Sequence, residues 1–309
     1  MSLESDLLID RSRLKRRLNF WRGATILAVI VVALIAVART GAQLGRNHVA
    51  RVAITGFISD DRKVTNAIRD VATDDSARAL LVYIDSPGGA VAGGEALHAA
   101  IAAVAEKKPV VAVMGGTAAS AGYMIAVPAT RIFAREGTLT GSIGVILETG
   151  EASGLLRMLG ISTDAITSGP LKDQPSFVKP MTEQGRAVLH DLVMDMYDQF
   201  VTMVATGRHM DPDRVRALAD GRAYTGRQAL KLGLIDAIGG EKEARDWLAS
   251  ERGIATSVPM RDVRSGGLME RAFGSDPDEA VGWVMKTVLS QWLSLDGALS
   301  LWHPDGARD

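Results

Sequence analysis

The chain has 309 residues, 47% of them hydrophobic, enough for one large domain or two modest ones. Its formal net charge of −1 offers no global attraction to nucleic acid, so no nucleic-acid partner is expected. Cysteine is absent, which excludes disulfides, thiolate metal sites and a cysteine nucleophile. No GxGxxG loop follows a first strand, and no Walker A loop or HExxH occurs, so neither cofactor nor metal is expected.

Residues 1–22 read as a basic N-terminal segment, mostly polar from Met1 to Asn19, with Arg11, Arg13, Lys15, Arg16 and Arg17 clustered. Residues 23–38 (GATILAVIVVALIAVA) then carry no charge. With Leu18 to Trp21 added and Arg22 snorkelling, the apolar stretch reaches about 20 residues, the length of a transmembrane helix. The one-sided basic cluster predicts a single-pass anchor in the cell inner or plasma membrane, its N-terminus cytoplasmic and everything after Arg39 outside. A cleavable signal peptide is the rival reading, because Ala36-Val37-Ala38 has the small-x-small pattern. Residues 39–48 read as a linker.

Residues 49–250 read as one domain. Val49 to Ile58 alternates as a strand, and Asp61 to Val71 has helical spacing. Ala79 to Ile84 (ALLVYI) is a buried strand running into the turn Asp85-Ser86-Pro87-Gly88-Gly89, and Ala90 to Glu106 is a helix. Pro109 to Met114 (PVVAVM) is the next strand, followed by the small-residue stretch Gly115 to Met124 (GGTAASAGYM). Gly137 to Val145 and Thr167 to Ser176 read as loops, with a helix from Ser153 to Leu159 between them. Thr182 caps a long amphipathic helix to Gly207 carrying Val188, Leu189, Leu192, Met196, Phe200 and Val204. Short helices follow at Pro212 to Leu218 and after Thr225, and a last core helix at Glu241 to Leu248. Residues 251–309 read as a tail with an apolar helical pattern from Asp278 to Leu295, suited to docking on the core, a neighbouring subunit or a membrane surface. Strands alternating with helices give an α/β fold with a mostly parallel sheet, whose ligand sites lie beyond the carboxyl ends of the strands. Both glycine-rich turns, at Gly88 and Gly115, fall there.

Ser120 is the one serine among these small residues, between a strand and a helix start. There it suits a nucleophile, since backbone N–H groups at a helix start favour developing negative charge; it also suits plain close packing. No histidine neighbourhood singles out a base among His48, His98, His190, His209 and His303. Lys172, in the Ser-Gly-Pro-Leu-Lys-Asp loop, is the other candidate, with a solvated surface lysine as the alternative. A lysine acts as a base only when neutral, which requires an apolar, water-poor site.

Taken together, DSPGG at 85–89, ASAGYMIA at 119–126, LTGSIGV at 139–145, SGPLKD at 168–173 and DGRAYTGRQALKLGLID at 220–236 resemble the signal peptide peptidase family (SppA, or protease IV). The five strings occur in that family's order and cover about residues 49–248. The resemblance implies a Clp/crotonase-like fold and a membrane-anchored serine endopeptidase with a Ser–Lys dyad. It makes Ser120 the nucleophile, Lys172 the general base and Ser142 the residue that orients the lysine amine. The backbone N–H groups of Gly89 and Ala121 become the oxyanion hole. It also implies apolar peptide substrates such as signal-peptide remnants, and a homo-oligomeric ring. Two positions depart from the family pattern. Ala121 stands where Gly is commoner, which bears on pocket shape, and Asp85 stands where Asn is frequent. The wider Clp/crotonase superfamily supplies rivals. A Clp-type Ser–His–Asp triad wants a histidine near residues 140–147, where TGSIGVIL has none; an acyl-CoA enzyme has no use for Ser120 or an anchor. A non-catalytic membrane scaffold would leave Ser120 as packing.

Overall fold

Three long strands form the middle of the sheet: β1 (His48–Ile58), β2 (Ala77–Gly89) and β3 (Val110–Ala119). The runs of Val, Ile, Leu and Ala in β2 and β3 are buried on both sides of the pleat, the pattern of strands covered on both faces, whereas β1 alternates buried and exposed beyond Arg51. The computed structural model describes residues 47–263, together with Arg17 and residues 20–28. Residues 20–28 are helical, and among the described residues no helix is long and apolar enough to cross a membrane. Most of the expected anchor (residues 29–38), the linker up to residue 46 and the Asp278 to Leu295 helix lie outside the described residues.

Helix α1 (Arg62–Val71) follows β1, α2 (Val91–Ala105) follows β2, and α3 (Ala121–Ala126) follows β3. Next come β4 (Arg131–Ala134), β5 (Leu139–Gly141), α4 (Ser153–Met158), α5 (Glu183–Arg208) and α6 (Pro212–Leu218). The described chain closes with β6 (Ala223–Thr225), α7 (Gly226–Leu232), β7 (Ala237–Ile238), α8 (Glu241–Arg252) and β8 (Met260–Asp262). The sheet runs β6-β5-β3-β2-β1-β8, with β4 also on β3 and β7 on β4. Every pairing is parallel except β5 with β6.

One sheet face packs Ile54, Leu80, Val82, Ile84, Ala112 and Met114 under the helices, joined by Ile68, Ile101, Ile125 and Phe200. The other face packs Leu81, Val111, Val113 and Phe133 beneath Ala244 and Leu248 of α8. Helix starts follow their side chains: Asp61 accepts from Lys63 N–H at 2.8 Å, Thr182 from Gly185 N–H at 3.0 Å, and Thr225 forms a capping box with Gln228. Residues 251–263, expected in the tail, belong to the same unit as the sheet. Ile254 enters the core and β8 adds to the free edge of β1.

Two strands run longer than their apolar cores suggest. β2 continues through the DSPGG turn to Gly89, and β3 passes Met114 to reach Ala119. The reason is a bulge at Gly115-Gly116-Thr117. Ile84 pairs with Met114, yet Ser86 pairs with Ala118, so β3 holds extra residues opposite Asp85. A Cβ on Gly115 would lie 2.6 Å from the Tyr83 hydroxyl, and Asp85 Oδ1 accepts the Thr117 N–H at 3.0 Å. The bulge also changes β3's neighbour: residues 111–114 pair with β4, and residues 117–119 with β5. Strand β5 lies inside the stretch expected to be a loop. It is only three residues long, tied to β3 by Thr140 Oγ1 donating to Ala118 O and Thr138 Oγ1 to Gly115 O, both at 2.7 Å.

Only the C-terminal half of α5 meets the core, through Phe200, Val201, Val204 and Ala205. Val188 and Leu192, nearer its start, are exposed. Its far end is fixed by Arg208, which donates to both oxygens of Asp236 (2.6 and 3.1 Å) and to Gly233 O. Asp236 in turn accepts the Ile132 N–H at 2.7 Å. Removing one partner leaves the other charge stranded. Because Asp236 is a quarter exposed, the cost for Arg208→Ala is about 2–3 kcal/mol, below that of a fully buried pair. Thermal unfolding of this variant is expected roughly 5–10 °C lower; an unchanged transition would show the pair to be incidental.

Candidate active site

The carboxyl ends of β2, β3 and β5 meet at one place, and the two glycine-rich turns and two of the predicted serines are there. Ser120 is the residue between β3 and α3, with φ 53° and ψ −122°. Such a backbone costs on the order of 1–3 kcal/mol in a residue with a Cβ, and a sharp strand-to-helix turn of this kind lifts a nucleophile out of the sheet. It is held from both sides: its N–H donates to Gly141 O, and its carbonyl accepts from Tyr123 and Met124 N–H, all at 2.9 Å. Tyr123, fully buried one turn along, donates from its hydroxyl to Leu234 O at 2.8 Å. Burial pushes that phenol well above its ordinary pKa, so it stays a donor.

Gly88 is the residue pressed against Ser120. Its φ is +117°, and a Cβ there would stand 2.8 Å from Ser120 Cβ and 3.2 Å from Ser120 Oγ. The buried Ser86 hydroxyl shapes this turn, accepting the Gly88 N–H at 3.1 Å and donating to Gly88 O at 3.3 Å. Gly89, the expected oxyanion donor, is next in the chain and pairs with Ile58 so closely that a Cβ would overlap the Ile58 backbone. Asp85 accepts from Thr117 with a single oxygen, a role an asparagine carbonyl fills equally, so this departure from the family pattern is structurally neutral.

Ala121, the other expected donor, opens α3; the first N–H groups of a helix have no intrahelical acceptor. Its methyl is buried and faces α2, where a Cβ on Gly94 would come within 3.0 Å of it. The extra methyl is therefore absorbed by a glycine on the neighbouring helix.

Ser142 follows β5 as Ser120 follows β3, and because Ala119 pairs with Gly141 the two serines leave adjacent strands side by side. Ser142 also has a positive φ, 48°, and its N–H donates to Arg222 O at 2.9 Å. Among the described residues only Ser120, Ser142 and His209 are non-glycine residues with positive φ. Arg222 belongs to the DGRAYTG stretch, which reads in the sequence as turn, cap and packing. The fold gives that stretch a direct part in the site, because β6 pairs antiparallel with β5 and the Tyr224 ring fills the space where Gly141 lacks a Cβ. The antiparallel pairing of two three-residue strands leaves no periodic signal in the sequence.

No hydrogen bond ties Lys172 to these serines. The lysine is exposed, in a turn where its N–H donates to Gly169 O at 3.2 Å. Among the described residues its amine makes no hydrogen bond or ion pair, and the side-chain hydroxyls of Ser120 and Ser142 make no hydrogen bond. The segment bearing Lys172 also exposes Ile146, Leu155, Met158, Leu159, Ile166 and Phe177. As for a histidine base, His98 sits partly buried in α2, where burial pushes its pKa below the ordinary value, and His190 is exposed on α5.

The sequence profile of Peptidase family S49 matches residues 102–255, and that of Clp protease matches residues 50–136. The chain is 41% identical over 210 residues to a Synechocystis sp. protein named "Putative protease slr0021", covering 68% of this chain and 76% of that protein. The chain belongs to peptidase family S49. Among its relatives, Salmonella typhi "Protease 4" is 36% identical over 173 residues, 56% of this chain and 28% of that protein. "Serine protease SPPA, chloroplastic" of Arabidopsis thaliana is 31% identical over 211 residues, 68% and 31% of the two lengths. The chain thus spans under a third of those two relatives. As an S49 member it is a serine peptidase, with an α/β fold and a mostly parallel sheet.

Proposed function

We propose that Ser120 is the nucleophile of this S49 peptidase and Lys172 its general base, with Ser142 orienting the amine. The observation that carries the reading is the strained Ser120 turn set against Gly88, with a half-buried Ser120 whose hydroxyl makes no hydrogen bond among the described residues. Attack of Ser120 Oγ on a peptide carbonyl makes an oxyanion, for which the N–H groups of Gly89 and Ala121 are the donors. Lys172 accepts the hydroxyl proton and passes it to the leaving amine; water then resolves the acyl-enzyme. Such a lysine needs dry surroundings, and its segment's exposed apolar residues supply them once covered. Assembly into a homo-oligomeric ring, through this segment and the exposed start of α5, gives that cover. A single-pass anchor at residues 23–38 would hold the domain outside the cytoplasm at the inner or plasma membrane.

Substrates are apolar peptides such as cleaved signal peptides, which suits the small, uncharged residues Gly88, Gly89 and Ala119 around Ser120. The test is cleavage of a peptide library by the full-length chain. The wild type should prefer small or aliphatic residues at the bond cut. Ser120→Ala should lose turnover, and Ser142→Ala should keep a residual rate because it removes an orienting group and leaves the base. A profile favouring Lys or Asp, or undiminished cleavage by Ser120→Ala, would overturn the reading.

A further inference from the structure

The end of β1 carries an aromatic that the core does not use. Phe57 is 74% exposed, whereas Ile58 beside it is 2% exposed and belongs to the core. A bulge produces this presentation: Thr55 pairs with Asp85 and Phe57 with Gly88, so Ser86 and Pro87 on β2 face Gly56 alone. Gly56 has φ +71° and open space around it. Gly88 lies against Ser120, and Phe57, its partner on β1, is one strand further out. The order across the sheet end is Ser120, Gly88, Phe57, and the residue between nucleophile and ring has no side chain of its own.

Resting on the reading of Ser120 as nucleophile, we infer that Phe57 is a specificity-determining residue, forming the apolar wall of a subsite for a substrate side chain next to the scissile bond. Exposed aromatic rings hold apolar side chains through area removed from water, and a ring on a strand end loses little freedom in doing so. Phe57 touches neither the proton path nor the oxyanion donors. Its contribution falls on substrate binding and on the choice among substrates.

The experiment compares full-length wild type with Phe57→Ala, Phe57→Asp and Phe57→Leu, using a peptide library and a small serine-directed fluorophosphonate. Phe57→Ala should lower kcat/KM about tenfold for peptides with Leu or Phe near the bond, mainly through KM, and much less for Ala-only peptides. Phe57→Asp should lose more and gain relative preference for basic residues; Phe57→Leu should stay within about threefold of wild type. Labelling of Ser120 should proceed at the wild-type rate in all three. An unchanged library profile in Phe57→Ala would overturn the inference, as would an equal loss on every peptide, slowed labelling or a changed oligomer by sedimentation. Wild-type protein whose Ser120 takes no label fails the nucleophile reading instead, which keeps the two failures apart.

Discussion

Lys172→Arg should abolish peptidase turnover, lowering kcat/KM by at least about 10³-fold, while leaving the thermal transition unchanged. A general base contributes about 10²–10⁴-fold, and a guanidinium stays protonated in proteins, so it cannot accept the Ser120 proton. The length and charge of the side chain are nearly kept, which isolates basicity as the variable. Stability should not move, because Lys172 is exposed and its amine has no partner among the described residues; surface changes of that kind stay within about 0.5 kcal/mol. Steady-state cleavage and a melting curve on the same preparation read both quantities. An arginine variant cleaving near the wild-type rate would make Lys172 a surface residue and send the search for the base elsewhere.

Gly88→Ala should be nearly as damaging by a different route. The added methyl would lie 2.8 Å from Ser120 Cβ, and φ +117° is a conformation an alanine adopts only under strain. Ser120 must shift by a fraction of an ångström or more, and a misplacement of about 1 Å costs on the order of 10²-fold. The expected result is a fall in kcat of about 10²-fold or more, with unfolding several degrees lower. Asp85→Asn is the matched control in the same turn, expected to change neither quantity because one oxygen still accepts from Thr117. Full activity in Gly88→Ala would show that the turn gives way and that the tight contact does not position Ser120.

What the sequence made legible divides along physical lines. The apolar runs at 79–84 and 109–114, the caps at Thr182 and Thr225, and the serine between strand and helix all announce themselves through local composition. Local composition could not announce the continuation of β2 and β3 through their glycines. That depends on Asp85 and Tyr83 on one strand meeting Gly115 and Thr117 on the next, a contact about 30 residues apart in the chain. The support of Ser142 by Arg222, 80 positions away, is hidden for the same reason. The accommodation of Ala121 rests on Gly94, whose role inside α2 is indistinguishable by sequence from ordinary helix glycine. The long helix α5 shows the opposite case. Its apolar stripe reads as uniform, yet only the half around Phe200 finds a core to cover, and Val188 and Leu192 are left for another surface.

The central claim is that Ser120 is the attacking residue. The most direct measurement is mass mapping of the full-length chain after reaction with a peptidyl fluorophosphonate that carries an apolar side chain beside the phosphorus. The predicted result is one adduct per chain, on the peptide containing Ser120, with activity lost in proportion. The Ser120→Ala protein should take no adduct and show an unchanged fold by its melting curve. An adduct on a different serine with matching loss of activity, or a Ser120→Ala protein that still cleaves peptides, would contradict the account.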